Sequence, residues 1–321
     1  MKIIIDFFMW LVWVPLRGVM VRMPRAVVDP ALSALALFFY IALPNRRKGV
    51  REELGLLFGS RFSEKELGRM TRASFDNFIK KVYENLFYGK VTADNLEEMA
   101  YFEGLSNMDS ALGNGKGAIV NTLHFGSYFL FMLGLGLRGY RANALTGTPL
   151  TAGSSYIKNK LFELRKKEED AYPFTVLGTK DFLSVVRALK RNEIIGVAID
   201  GREGANLVPV KFFDRTAEFS TGIISLAMKT GAAIIPSIAV KGPDGRHRLI
   251  LEPKMELIEC ADKDEMLRLN LEKFIGIMEK HVLEHPDHYG MTLYSIREEA
   301  RKGLIKPLFA DNAGFRLKTA G

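Results

Sequence analysis

The chain has 321 residues, of which 48% are hydrophobic and 26% charged, with a net charge of +8 and one cysteine, Cys260. This length can bury a substantial core, and the composition excludes both a disordered chain and a polytopic membrane protein. A lone cysteine excludes an intramolecular disulfide framework and a cysteine-rich metal site, which favours a reducing, cytoplasmic-side location.

The first fifty residues combine positive charge with hydrophobicity. Residues 1–51 hold eight basic side chains against two acids, and they contain the runs IIIDFFMWLVWV and ALSALALFFYIAL. Neither run reaches the roughly 18 unbroken apolar residues of a spanning helix, and no clear signal-peptide cleavage site follows the first. Trp10, Trp13 and the flanking arginines suit the headgroup region of an anionic leaflet.

We therefore predict a membrane-association segment over residues 1–50. The alternative is two helices packed on the domain with their arginines in water. A nucleic-acid partner is not expected, because such a footprint is basic and polar, whereas this one is basic and apolar.

In the rest of the chain, the hydrophobic pattern first predicts helices and then predicts strands that alternate with helices. Residues 50–90 are predicted to be helical, with Ser63 and Glu66 in a capping-box pattern. From about residue 115, short apolar runs alternate with helical segments. The predicted strands are GAIVNTL (117–123), RANALT, PFTVLG, IIGVAID (194–200), AAIIPSIAVK and HRLILEPKMEL. The predicted helices are SYFLFMLGLGLRG, SSYIKNKLFELRKKEED, TKDFLSVVRALKRNE opened by Thr179, FSTGIISLAMKTG ended by Gly231, and a final KDEMLRLNLEKFIGIMEKHVLEH stopped by Pro286.

Strands separated by helices predict an α/β fold. We expect one domain over residues 51–321, with a mixed, largely parallel sheet flanked by helices. The turn GPDGR predicts that the last two strands form an antiparallel hairpin at one side.

Polar clusters follow two of these predicted strands. LHFGSY comes after residues 117–123, and IDGREG (199–204) ends the strand at 194–200. A third cluster, VPVKFFDRTAEFSTG (208–222), leads into a helix whose start could receive an anion. Ligands of α/β sheets gather at the carboxyl ends of strands, so the first two clusters are the candidate site.

Four blocks in order resemble the bacterial late lipid A acyltransferases, part of the lysophospholipid acyltransferase superfamily. NTLHFGSY is similar to the family's His-Phe-Gly-Asn-Trp-Glu block. VAIDGREGANLVPVKFFDRTAEFSTGIISLAMKTGAAIIPSIAV resembles its acidic turn, its VPFFGRPA loop and the following helix and strand. PDGRHRLILEP and EHPDHY fall where the family has a hairpin and a His-Pro-Glu tail. The resemblance covers roughly residues 65–290.

The resemblance implies a glycerolipid-acyltransferase-like fold on the cytoplasmic face of the inner membrane, with no cofactor. It also implies acyl transfer from an acyl-carrier-protein or coenzyme A thioester to the hydroxyl or amine of a membrane lipid. The motif histidine, here His124, would take the proton from the acceptor, and a carboxylate five positions on would orient the imidazole.

That carboxylate is missing, because residue 129 is a phenylalanine. Asp200 or Glu203 at the neighbouring strand end could replace it. The expected substrate-binding residues are Ser127 and Tyr128, which stand where the family has Asn and Trp, and Arg202, Lys211, Arg215, Ser220 and Thr221. Arg215 and the helix start at Ser220 and Thr221 could hold a phosphate or a carrier phosphopantetheine; ordinary helix capping and a surface arginine are the alternative.

Several alternatives remain open at this point. His124 could be a strand-end histidine bonded to backbone, and Phe129 could mark a catalytically degenerate lipid-binding or accessory homologue. Ser127 could serve a serine esterase, although HFGS is not a nucleophile elbow. The spacing of His281, His285 and His288 invites zinc, but Pro286 breaks the helix between them, so no metal is expected.

Overall fold

The structure is a computed structural model that describes Met23 and residues 25–310, except positions 86, 148–158, 161, 162, 164, 165, 168, 180 and 203–205. The hydrophobic run that begins the chain, Glu203 and most of the predicted helix SSYIKNKLFELRKKEED therefore lie outside the described residues. All three stay predictions.

A mixed sheet of seven strands forms the centre of the described fold. Its order is β1-β9-β8-β2-β5-β3-β4, and every neighbouring pair is parallel except β8 with β9. Its strands are β1 (Ala100–Glu103), β2 (Ala118–Thr122), β3 (Ala142–Thr146), β4 (Thr175–Gly178), β5 (Ile194–Ala198), β8 (Ala233–Lys241) and β9 (His247–Leu251). A separate antiparallel pair consists of β6 (Leu207–Phe212) and β7 (Arg215–Ser220). The predicted fold class, a mixed and largely parallel α/β sheet, is confirmed.

Helices cover both faces of this sheet. They are α1 (Arg25–Ala42), α2 (Pro44–Phe58), α3 (Glu64–Glu84), α4 (Leu96–Met99), α5 (Leu105–Leu112), α6 (Phe129–Leu137), α7 (Phe182–Lys190), α8 (Gly222–Thr230), α9 (Lys263–Glu284) and α10 (Gly290–Arg301). The side chains of β2 alternate between two cores. Ile119 belongs to the core shared with α2, α3 and α7–α10, whereas Val120 belongs to the core shared with α4–α6.

Local signals explain where several helices begin and end. Ser63 and Glu66 form the predicted capping box at the start of α3, which satisfies backbone N–H groups of its first turn. Gly231 ends α8 at a φ of 76°, where a residue with a Cβ would be strained. The start of α7 differs from the prediction, because the carboxylate of Asp181 caps it instead of Thr179.

The sequence did not predict strand β1, the β6–β7 hairpin, or the helices α4, α5 and α10. Strand β1 pairs in parallel with β9 and therefore covers the hairpin edge. Residues 208–220 form most of the β6–β7 hairpin, whereas the resemblance to the family's VPFFGRPA loop predicts a loop there. Helix α9 is not the last helix, because α10 follows the short 3₁₀ turn Pro286–His288 and packs on α2 and α3.

No one helix of the described chain has both the length and the hydropathy to cross a bilayer. Val27–Ala42 and Pro44–Arg61 meet the criterion only as a pair, by length and composition, and they are bent by 94°.

Candidate active site

The site lies where β2 and β5 end beside each other. Thr122 and Ala198 are register partners on these parallel strands. His124 and Asp200 each lie two residues further on, so the register itself brings the imidazole and the carboxylate together. The Ile199 N–H donates to the Thr122 carbonyl at 2.8 Å and continues the strand pairing into the site.

Asp200 holds His124 at two points. The His124 Nδ1 lies 2.8 Å from Asp200 Oδ1, and the His124 backbone N–H donates to the same oxygen at 2.9 Å. A carboxylate only accepts, so Nδ1 carries the proton and the basic lone pair is on Nε2. The His124 side chain is 38% exposed, whereas that of Asp200 is fully buried. The arrangement presents an oriented imidazole to the surface with its acid behind it.

A third group completes the environment of Asp200. The hydroxyl of Tyr289, which is fully buried, donates to Asp200 Oδ2 at 2.9 Å. Burial by itself would raise the pKa of Asp200, but the adjacent His124 and the hydrogen bonds from His124 and Tyr289 outweigh it, so the pKa lies below its usual value. The carboxylate is therefore ionised at neutral pH and can stabilise an imidazolium.

The chain turns sharply after His124 and needs a glycine to do so. Gly126 has a φ of 56° and bridges to Ala239 of β8. A Cβ at this position would lie 1.7 Å from the Ala239 carbonyl oxygen. The Thr292 hydroxyl donates to the His124 carbonyl at 2.8 Å, so α10 also fixes the loop.

Ser127 belongs to a buried charged cluster behind this loop. Its hydroxyl donates to Glu84 Oε2 at 3.3 Å. Glu84 also bonds His247 Nε2 at 2.8 Å and Lys241 at 3.0 Å, so α3 and the β8–β9 hairpin are joined here. Burial opposes ionisation of Glu84, but His247 and Lys241 overcome it and lower its pKa to about 2. Ser127 thus anchors the histidine loop and has a carboxylate for a partner, not an imidazole.

Phe129, at the position of the expected acid, sits in an aromatic cluster. Its ring stacks on Tyr88 at a centroid distance of 5.2 Å and meets the edges or faces of Tyr172 and Phe174, each at 5.3 Å. The residue begins α6 and packs against the core on that side of the sheet. The side chain at position 129 therefore packs in an apolar environment in this protein, and the carboxylate beside His124 comes from Asp200.

His124 lies between two cavities. A large groove of about 1370 Å³ runs along β3 and β5 on the α6 side, and its wall includes Phe129, Met132 and Gly196. A small cavity of about 380 Å³ lies on the α3 and α10 side, and its wall includes Lys81, Asp200 and His288. His124, Tyr128 and Gly201 line both.

The other predicted binding residues are placed differently. Arg202 lines the small cavity, but it is buried and its guanidinium donates to the carbonyls of Glu218, Lys306 and Pro307. Buried Arg215 pairs with Glu53 of α2 and lies over the Phe309 ring.

Lys211, Ser220 and Thr221 complete this group. Lys211 is 76% exposed beside Asp214. The Gly222 N–H donates to the Ser220 hydroxyl at 3.2 Å, and buried Thr221 precedes α8. Neither Arg215 nor these three residues line either cavity at His124. Their role in substrate binding stays a prediction, as does the catalytic role of Glu203.

Some site residues were not predicted from the sequence, namely Tyr289, Glu84, Lys241, His247 and Lys81. The sequence does contain a signal for Tyr289, because this residue ends the EHPDHY block, which resembles the family's tail. The other four come from a helix and a hairpin distant in sequence, and only the tertiary fold brings them together.

Comparisons with known proteins identify the family of the chain. The profile of the family "Bacterial lipid A biosynthesis acyltransferase" matches residues 1–295. The chain belongs to this family, and it is an acyltransferase that acts on lipid. The lipid A biosynthesis lauroyltransferase of Escherichia coli (strain K12) is 25% identical over 296 residues, which cover 87% of this chain and 89% of the relative. The family resemblance inferred from the four sequence blocks is confirmed.

Proposed function

We propose that the protein transfers a fatty acyl group from an acyl-carrier-protein or coenzyme A thioester to a hydroxyl or amine of a membrane lipid. His124 acts as the general base and Asp200 as the carboxylate that orients it. The observation that carries this proposal is the 2.8 Å bond between His124 Nδ1 and Asp200, with the half-exposed imidazole between two cavities.

The two cavities suit two substrates. The large groove has apolar walls near His124, at Phe129, Phe131 and Met132, as an acyl chain requires. Most of the residues in the wall of the small cavity are polar or charged, and such side chains suit the headgroup of an acceptor. A thioester carbonyl at the boundary would then meet an acceptor hydroxyl next to His124.

The chemistry follows from the imidazole's orientation. Nε2 takes the proton of the acceptor hydroxyl or amine while the acceptor atom forms a bond to the thioester carbon. Asp200 stabilises the resulting imidazolium. The tetrahedral intermediate then expels the thiolate, the C–S bond breaks, and the imidazolium returns its proton to the sulfur. Burial and the charge of Asp200 raise the pKa of Tyr128 to about 12, so its phenol stays protonated and can donate to a substrate oxygen.

The alternative of a catalytically degenerate homologue rests on Phe129. It is not favoured, because Asp200 already occupies the position of an orienting acid, is ionised and is held by Tyr289. A site that had lost its function would not need this buried charge, which is costly without partners.

The proposal predicts that His124→Ala abolishes transfer. We expect kcat/KM to fall by about 10³-fold or more, because the acceptor loses its base. The measurement is transfer of labelled acyl groups from acyl-carrier protein and from coenzyme A to extracted membrane lipid. His281→Ala is the matched control, because His281 also bonds a carboxylate, Glu252, at 2.8 Å but lines neither cavity. Equal labelling by the His124 variant and the wild type would refute the proposed role.

We further propose that the protein binds the cytoplasmic face of the inner membrane through α1. Phe38 and Ile41 are 61% and 62% exposed, on the side of α1 opposite Val28 and Leu32, which pack on Tyr83 of α3. Arg46 and Lys48 follow directly, and basic residues next to exposed apolar ones favour an anionic lipid surface.

This membrane proposal predicts that Phe38→Asp combined with Ile41→Asp weakens binding to anionic vesicles by at least about tenfold, since two inserted side chains become charged. The measurement is flotation with vesicles that contain phosphatidylglycerol. Phe182→Asp combined with Leu183→Asp is the control, because these α7 residues are 52% and 65% exposed. Equal flotation of the two double variants would contradict the proposal.

A further inference from the structure

Lys81 occupies an unusual place in the small cavity. It lies on α3, and its ammonium stands 4.6 Å from the centre of the Tyr128 ring. The Tyr128 ring also contacts the His124 ring, with the two ring centres 4.9 Å apart. These two distances place the Lys81 ammonium no more than 9.5 Å from the centre of the imidazole. The ammonium and the imidazole thus contact the same tyrosine ring, and all three residues line the same cavity.

The other basic groups of the cavity wall are Lys80, Arg202, Lys241, His247 and His288. Lys80 pairs with Asp76 at 2.6 Å, and Lys241 and His247 both bond Glu84. The guanidinium of Arg202 donates to backbone carbonyls. Burial lowers the pKa of His288 to about 4, so this imidazole is neutral at neutral pH. The Lys81 ammonium, by contrast, has no hydrogen bond to any residue that the structure describes.

The carboxylates of the same wall are Glu84, Asp200, Asp287 and Glu299. Glu84 and Asp200 have the partners given above, and Asp287 accepts from Asn77 at 2.6 Å. Glu84 and Asp200 are close enough to Lys81 to favour its charged form. None of the four forms an ion pair with Lys81 within the described chain, and Lys81 lines the cavity beside them.

We propose that Lys81 binds a phosphate group of the substrate in the small cavity and thereby places the acceptor hydroxyl at His124. The inference rests on the proposed function and adds a recognition element to it. A lysine ammonium is a compact point charge that binds phosphate, and this one lies no more than 9.5 Å from the centre of the His124 ring. The distance of at most 9.5 Å between the Lys81 ammonium and the centre of the His124 ring suits a substrate whose phosphate lies a few bonds from the reacting hydroxyl.

The protonation state of Lys81 supports this role. Burial of the ammonium lowers its pKa to about 8, against the opposing influence of Asp200 and Glu84. The side chain is charged below that pH and can bind an anion, and it becomes neutral as the pH rises through about 8. A bound phosphate adds negative charge and should raise this pKa again.

The first test needs no enzymatic turnover. Lysines of the full-length protein are dimethylated with ¹³C-formaldehyde, and the Lys81 signal is assigned by its absence in Lys81→Arg. We expect this signal to titrate well below those of exposed lysines, and inorganic phosphate to shift it and raise its midpoint. The signal of Lys80, paired with Asp76, is the internal control. A Lys81 signal that responds to phosphate no more than that of Lys80 would overturn the inference, whatever the activity of the protein.

The second test identifies the source of the phosphate. In Lys81→Met, we expect KM for a phosphorylated lipid acceptor to rise by about tenfold to a hundredfold, with little change in kcat, because one charge-assisted hydrogen bond is lost. Lys81→Arg should retain binding above pH 9, where the wild type loses it; a merely structural lysine would not show this pH difference. If KM rises for the thioester instead, the phosphate belongs to the donor. An unchanged KM for both substrates contradicts the inference.

Discussion

Replacing Asp200 with asparagine is expected to lower kcat/KM for acyl transfer by about 10³- to 10⁴-fold, as the corresponding change does in a serine-protease triad. The wild-type carboxylate accepts from His124 Nδ1, from the His124 backbone and from Tyr289. An asparagine offers one oxygen and an NH₂ group, so it cannot accept all three bonds or stabilise the imidazolium. Without the carboxylate, the proton of the imidazole would no longer be held on Nδ1, and Nε2 would no longer be kept free to act as the base.

The control for this prediction is Asp244→Asn, which removes an exposed carboxylate paired with Arg246 in the β8–β9 turn. We expect its kcat/KM to equal that of the wild type. Circular dichroism of the Asp200 variant checks that the fold persists, since loss of buried hydrogen bonds costs about 1–3 kcal/mol. An Asp200→Asn protein with more than a tenth of wild-type activity would show that another group orients the histidine.

Restoring the family's acid by Phe129→Glu is expected to damage the protein without improving transfer. The Phe129 ring packs between Tyr88, Tyr172 and Phe174, and a carboxylate there would lose these contacts and part of its hydration. The free energy of unfolding should fall by about 2–4 kcal/mol. His124 Nδ1 is already bonded to Asp200, so a second carboxylate has no nitrogen left to orient.

Phe129→Leu is the matched variant, because it keeps the hydrocarbon and removes only the ring contacts. We expect it to lose about 1 kcal/mol and to retain most of the transfer activity. Chemical denaturation and transfer assays on both variants provide the measurement. A severalfold gain in transfer by Phe129→Glu would mean that the Asp200 pair is not the operative one.

The elements with strong local signals were predictable from the sequence. Strands β2 and β5 are continuous apolar runs because helices cover both faces of the sheet. The β8–β9 hairpin followed from its turn residues, and the start of α3 followed from its capping box. In each case, a few consecutive residues determine the local structure.

The missed elements depend on distant partners. Strand β1 has only four residues, mostly half-buried, and exists because β9 lies beside it. The β6–β7 hairpin contains Pro209 and the exposed Lys211, which weaken a strand pattern. Helix α10 follows Pro286, a residue that correctly predicts the end of α9 but gives no signal for a further helix beyond it.

Only part of the candidate site could be predicted from the sequence, because some of its residues come from elements that tertiary packing brings together. Asp200 was a candidate because parallel neighbours bring their carboxyl ends together, and the register of Thr122 with Ala198 does so here. Sequence alone could not select it over Glu203, and it gave no role to Lys81. Helix α3 reaches the site through tertiary packing, which includes its contacts with α10 and with the 3₁₀ turn at Pro286–His288.

The most direct test of the central claim is a double-mutant cycle in kcat/KM for acyl transfer, with His124→Ala, Asp200→Asn and the combined variant. If Asp200 acts only through the imidazole, the combined variant should be no slower than His124→Ala alone, because residues that work as one unit are not additive. Losses that multiply in the combined variant would show that Asp200 and His124 act independently, and would contradict a catalytic pair.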